Sequence, residues 1–178
     1  NDFALTNLSK LIQCQLLELP IPEFKKSLNS KGIIGFSSFG NLIWSNRESN
    51  GVNVPVLFIG GTYDLITPLV NEQFRTFLAS ESNKLNRFLI IEGASHFSPI
   101  RVIQEISEEK IDNDVFKIQQ NFIGINPFDF QEISLSIIIQ FLKNLDRGKG
   151  LSIIKKANIR NINFHLLDKK ELIEIYRN

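Results

Sequence analysis

The chain has only two histidines, so histidine chemistry has two possible centres. His96 stands in Glu92-Gly93-Ala94-Ser95-His96-Phe97, directly after an apolar run, and Asp64 stands in Gly60-Gly61-Thr62-Tyr63-Asp64, directly after another. A carboxylate that accepts from a histidine ring N–H fixes the ring tautomer and stabilises the imidazolium formed when the ring takes a proton. If both runs are strands of one parallel sheet, both residues project where open α/β sheets bind ligands, outside the carboxyl ends. Adjacent strands lie about 4.8 Å apart, close enough for the two side chains to meet. His165, in Asn163-Phe164-His165-Leu166-Leu167, has no acidic or cysteine partner at a useful spacing and reads as structural. Asp64 and His96 are therefore the catalytic candidates.

The elements that must position them are legible as periodicities. Val54 to Ile59 and Arg87 to Glu92 are continuous apolar runs rich in β-branched and aromatic residues, the pattern of strands buried on both faces. Gly60-Gly61-Thr62-Tyr63-Asp64 is expected to break the first and Gly93 to end the second. A shorter run, Ile33 to Phe36, predicts another strand. Between the two long runs, Pro68 to Ser80 reads as a helix with Pro68 in its first turn and Val70, Phe74, Phe77 and Leu78 on one face. A helix is predicted over residues 8 to 19, ended by Pro20 and Pro22, and another over 129 to 145 with Ile133, Ile137, Phe141 and Leu145 in one stripe. Asp168 and Glu171 form a capping box for a last, short helix. Residues 105 to 114 are a charged, solvated stretch. Strand, helix, strand and then helices implies an α/β fold with a parallel sheet and right-handed crossovers, followed by a helical tail over 101–178.

Composition narrows the classes of function. With 178 residues, 43% of them hydrophobic, the chain is long enough to bury a sizeable core. A formal net charge of +1 gives no electrostatic case for nucleic acid. No apolar run approaches the roughly 18 residues of a membrane span. The single cysteine, Cys14, excludes an internal disulfide framework and a multi-cysteine metal cage. Methionine is absent and the first residues form no intact signal peptide, so the chain is expected to be a piece of a longer one. Gly60-Gly61-Thr62 lacks the Gly-x-Gly-x-x-Gly spacing of a dinucleotide site.

The order strand-Asp, helix, strand-His is the back half of the Ser…Asp…His order of α/β-hydrolases. Val54-Pro-Val-Leu-Phe-Ile-Gly-Gly-Thr-Tyr-Asp-Leu-Ile-Thr-Pro68 resembles the acid strand and loop of that superfamily. Ile90-Ile-Glu-Gly-Ala-Ser-His-Phe-Ser-Pro99 resembles the histidine loop of its cutinase-like and platelet-activating-factor-acetylhydrolase-like branches. Residues 11 to 20, Asn71-Glu-Gln73 and Gly93 to Ser98 are similar to segments of cyanobacterial proteins labelled predicted dienelactone hydrolases. The likeness covers about residues 8 to 100, with the tail only loosely similar. It implies the carboxyl-terminal portion of a single α/β-hydrolase domain over 1–178, with the acid and histidine strands in 1–100. It also implies esterase- or lipase-like hydrolysis of a small-molecule carboxylic ester, without metal or organic cofactor.

The nucleophile is the missing part. No Gly-x-Ser-x-Gly occurs. Gly35-Phe36-Ser37-Ser38-Phe39-Gly40 follows a strand, but no helix-forming run follows it, and too few residues separate it from Asp64. By resemblance, Ile33 to Phe36 is the strand between elbow and acid, so neither Ser37 nor Ser38 is expected to bond His96. Nucleophile and oxyanion hole are expected upstream of residue 1, and the chain alone is expected to be inactive. The competing reading is a non-catalytic degenerate hydrolase or partner-binding module with an exposed apolar sheet edge. Trp44, just before the acid strand, is either a packing residue or a wall of the substrate pocket. Phe97 is a second pocket candidate, or a packing residue that fixes the histidine loop. Cys14 is expected to be a buried small hydrophobe, with a disulfide to a cysteine outside the chain as the other reading. Glu92 could serve His96 as an outer acceptor, but Asp64 is better placed.

Overall fold

The structure, a computed structural model, describes residues 9, 12–15, 19, 29–40, 52–100, 124–148 and 157–177. Trp44, the charged stretch at 105–114 and half of the helix anticipated at 8–19 lie outside them. Residues 12–15 are helical. A five-stranded mixed sheet organises the rest: β1 (Ile33–Phe36), β2 (Val56–Gly61), β3 (Arg87–Ile91), β4 (Ala157–Ile159) and β5 (Ile162–Leu167), in the order β1-β2-β3-β5-β4. β1, β2 and β3 run parallel, whereas β5 is antiparallel to β3 and β4 to β5. The class is α/β.

Every residue of β2 and β3 is buried, because helices cover both faces. Alternation sends Val56, Phe58, Phe88 and Ile90 to one side, where they pack with Phe74 and Phe77 of α1 (Phe74–Ala79) and Leu172 of α3 (Lys169–Arg177). Phe88 lies 5.2 Å from Phe74 and 5.5 Å from Phe77, both edge-on, the favoured arrangement for ring quadrupoles. Leu57, Ile59, Leu89 and Ile91 face the other way, under Phe130, Ile133, Ile137 and Phe141 of α2 (Pro127–Arg147). That buried stripe matches the one read from spacing, with Leu145 at its partly buried end. α2 begins on Asn126, whose side chain accepts from Phe128 N at 2.9 Å, and stops at Gly148 with φ 62°, the left-handed conformation glycine adopts without a Cβ penalty.

Three expectations are corrected. The ladder of β2 does not break at Gly60-Gly61; it continues, pairing Gly61 with Ile91. A Cβ on Gly61 would collide with the backbone of Ala94, so the glycines allow close approach rather than ending the strand. The run Pro68 to Ser80 is not one α-helix. Leu69–Gln73 is a π-helical turn and only Phe74–Ala79 is α-helical, so the phase slips and Val70 is exposed.

The tail is not helical throughout. Residues 157–167 form a hairpin on the far edge of β3, with Phe164 and Leu166 alternating into the core. Its two-residue turn holds Arg160 and Asn161 at φ 51° and 66°. Positive φ at both positions is the type I′ geometry that fits the twist of a hairpin, here without the glycine that advertises it. Arg160 then reaches α2, bonding Asp129 at 2.8 Å and Glu132 at 2.9 Å.

The capping box of α3 forms as anticipated. Glu171 N donates to Asp168 Oδ1 at 2.9 Å and Asp168 N to Glu171 Oε2 at 3.1 Å. Asp168→Ala should cost about 1 kcal/mol of stability, visible as a lower urea midpoint at unchanged m-value. An unchanged midpoint would show that α3 is held by Leu172 packing alone.

Candidate active site

Asp64 and His96 meet at the carboxyl end of β2 and β3. His96 Nδ1 is 3.1 Å from Asp64 Oδ2 and 3.2 Å from Oδ1. The Asp64 side chain is fully buried, while that of His96 is 30% exposed, so one end of the ring is fixed and the other is accessible. The two loops are laced together. Thr62 N donates to Ile91 O at 3.2 Å, Tyr63 N to Ala94 O at 2.9 Å, and Gly93 N to Thr62 Oγ1 at 2.8 Å. Within the histidine loop Ser95 N donates to Ser98 Oγ at 2.9 Å and Phe97 N to Ser95 Oγ at 3.2 Å. Phe97 stands edge-on to His96, ring centres 5.6 Å apart, so it steadies the imidazole.

Among the described residues no lysine or arginine pairs with the buried Asp64 carboxylate, and hydrogen-bond donors hold it. Ile66 N and Thr67 N donate to Oδ1 at 3.1 and 2.8 Å, an Asx-type turn closed by the carboxylate itself. Thr67 Oγ1 donates to Oδ2 at 2.8 Å and Gln73 Nε2 at 3.1 Å. Burial on its own would raise the Asp64 pKa. The hydrogen bonds from His96, Thr67 and Ser37, with the charge of His96, outweigh it and hold the group below its ordinary value. An ionised carboxylate only accepts, so His96 Nδ1 carries a proton, and whenever the ring is neutral Nε2 presents its lone pair. Among the described residues, the hydrogen bonds of His96 all run through Nδ1.

Beside His96 opens a cavity of about 520 Å³. Its apolar walls are Ile12, Phe36, Phe39, Ile66, Pro99 and Ile100, and its polar ones Ser9, Ser37, Ser38, Thr67 and His96. His96 is the one ionisable group among these. Ser37 closes β1 with φ 44°, strained for a residue with a Cβ. Its N donates to Ile59 O at 2.9 Å and its carbonyl lies 3.1 Å from Thr67 Oγ1. Its hydroxyl helps hold the Asp64 pKa down. Neither Ser37 nor Ser38 bonds His96, as the sequence predicts.

Other expectations change. Glu92 does not support His96; it accepts from His165 Nε2 at 2.7 Å and from Asn163 Nδ2 at 2.9 Å. His165 thus has the acidic partner its sequence neighbours lack, because β5 pairs with β3 and brings it there. Cys14 is exposed rather than buried. Thr67 and Gln73 were not singled out as site residues. Their signal is weak: Thr67 follows the acid at turn spacing, and Gln73 lies inside a run whose π turn no 3.6-residue periodicity reveals. Among the described residues no group of three or more His, Cys, Asp or Glu could hold a metal, and no helix is long and apolar enough to cross a membrane.

Comparison with protein-family models, with curated proteins and with solved structures gives no match.

Two outcomes test this geometry. The Asp64 pKa is lower folded than unfolded, so the stability it contributes is complete above the ordinary value and lost as pH falls through the folded one. Asp64→Asn should therefore flatten the fall in stability below about pH 4, read from urea midpoints across pH; an unaltered slope would place the acid sensitivity elsewhere. Gly61→Ala should cost about 1–3 kcal/mol by overpacking and move the His96 ring resonances by displacing Ala94. Unmoved resonances would show that the loop yields freely.

Proposed function

We propose that this chain supplies the acid and base of a serine-hydrolase-type site, in the manner of the carboxyl-terminal portion of an α/β-hydrolase. The observation that carries the reading is the pairing of a buried, ionised Asp64 with Nδ1 of a half-exposed His96 at the carboxyl ends of two parallel strands. In this reading Nε2 takes the proton from an attacking hydroxyl and returns it to the leaving alcohol, while Asp64 keeps the ring in the right tautomer and stabilises the imidazolium. A covalent acyl-enzyme forms and water releases the acid. The attacking hydroxyl and the oxyanion donors come from outside the residues named above, since neither Ser37 nor Ser38 is among the hydrogen-bond partners of His96. The cavity beside His96, with no other ionisable group among its described lining residues, suits an uncharged ester with an apolar acyl or alkyl part.

A second reading, a partner-binding module, rests on β1. It is the outer strand of the sheet, pairing only with β2 among the described strands, and Ile33 and Phe36 are exposed on it.

Protein expressed from its whole open reading frame should hydrolyse short p-nitrophenyl esters at pH 7 to 8. His96→Ala should abolish most of that rate, and Asp64→Asn should lower it by up to roughly 10⁴. The 178-residue chain alone should not exceed free imidazole. An intact rate in His96→Ala would overturn the acid–base assignment and leave the binding reading.

A further inference from the structure

Asp64 has one tether from outside its own loop and the histidine loop that neither motif contains. The π-helical turn Leu69–Gln73 is wider than an α turn, and it brings two consecutive polar residues, Glu72 and Gln73, to the inside, exposed by only 2% and 0%. Glu72 Oε2 accepts from Gln13 Nε2 at 3.0 Å and from Gly40 N at 3.3 Å, on the side of the cavity wall. Gln73 turns the other way. Its Nε2 donates to Asp64 Oδ2 at 3.1 Å and to Thr67 O at 2.6 Å.

The opposite end of the same amide says which half matters. Gln73 Oε1 is buried with no hydrogen-bond partner, and it lies against the bare Cα of Gly60, where a Cβ would collide with it. An apolar side chain of the same length would fill that space without an unsatisfied acceptor. The donor end is what an apolar residue could not supply, and it reaches the carboxylate and the carbonyl of Thr67, whose hydroxyl bonds the same carboxylate.

We infer that Gln73 is a positioning residue for the Asp64–His96 pair, orienting the carboxylate so that both its oxygens face the Nδ1 proton. It acts through Asp64 and touches no reacting atom. The inference deepens the proposed function and rests on it for its catalytic meaning, but its test does not require turnover. With Gln73 donating, Oδ2 is held as Oδ1 is held by the Asx-type turn. Without it, Oδ2 keeps Thr67 Oγ1 and His96 Nδ1, the carboxylate is held less firmly, and the preference of the neutral ring for a proton on Nδ1 weakens. Gln73→Leu removes the donor, and Gln73→Glu keeps the shape while turning the donor into an acceptor facing another carboxylate.

The experiment is ¹⁵N NMR of the His96 ring in the folded chain, at a pH where the ring is neutral. It reads the ratio of Nδ1–H to Nε2–H tautomers and the exchange rate of the Nδ1 proton. The wild-type ring should be in the Nδ1–H form. Gln73→Leu and Gln73→Glu should each lower the tautomer ratio and speed Nδ1 exchange by about tenfold, the order expected for losing one hydrogen bond to a charged group. Phe77→Leu, one turn on and in the same core, should lower the melting temperature without moving either quantity. If Gln73→Leu does not fold, Gln73→Glu decides alone. A folded Gln73 variant with the wild-type ratio and exchange rate would overturn the inference. If the ring responds but no ester is hydrolysed by the whole protein, the positioning stands and the hydrolase reading falls. If hydrolysis requires His96 and the ring ignores Gln73, the positioning falls alone.

Discussion

A carboxylate with its side chain wholly out of water must be surrounded by donors or give up its charge. Asp64 keeps its charge, and much of this structure follows from the means. Two donors come from its own turn, one from the hydroxyl of Thr67, one from the amide of Gln73 and one from the ring of His96. None is a fixed cation. Ile66, Thr67 and the ring all line the cavity, and of these three only the ring can take up or release a proton there, at Nε2.

The fold is arranged to bring those donors together. β2 must end beside β3, which the parallel register provides, and the two following loops must pack closely, which Gly61 against Ala94 allows. Gly60 leaves room for the Gln73 amide, and the π turn delivers it. Ser37 accepts an unfavourable φ and sets its carbonyl beside Thr67 Oγ1. Strain and an unsatisfied amide oxygen are both costs, and both sit within one or two bonds of the carboxylate. Costs of that kind concentrate where geometry matters for chemistry. The hairpin β4–β5 lies on the other side of β3, where Arg160 clamps it to α2 and Glu92 ties down His165, away from the cavity.

The sequence discloses the parts of this that depend on continuous apolar runs and on strand ends. β2 and β3 are buried on both faces, so their runs are unbroken, and residues just after them necessarily share one edge; that is why Asp64 and His96 could be paired before any coordinates. The stripe of α2 and the capping box of α3 are equally local. What stayed hidden depends on geometry that residue type does not announce. Arg160 and Asn161 make a type I′ turn without glycine, so the hairpin reads as part of a helical tail. A π turn shifts phase in mid-run, so Val70 is misplaced outward and Gln73 inward relative to the helical spacing. Glu92 and His165 are brought together only by the β3–β5 pairing, which separation in sequence conceals. Hydrogen-bond partners of a buried carboxylate are a tertiary property, and Gln73 could be found only by looking.

The central claim is that Nε2 of His96 is a base for an attacking hydroxyl, and covalent trapping tests it most directly. Protein from the whole open reading frame should be treated with a fluorophosphonate probe and the modified residue mapped by mass spectrometry, in the wild type and in His96→Ala. The account predicts a single labelled serine, distinct from Ser37 and Ser38, whose labelling is lost in His96→Ala. Labelling that persists undiminished without His96, or that falls on Ser37 or Ser38, would contradict it.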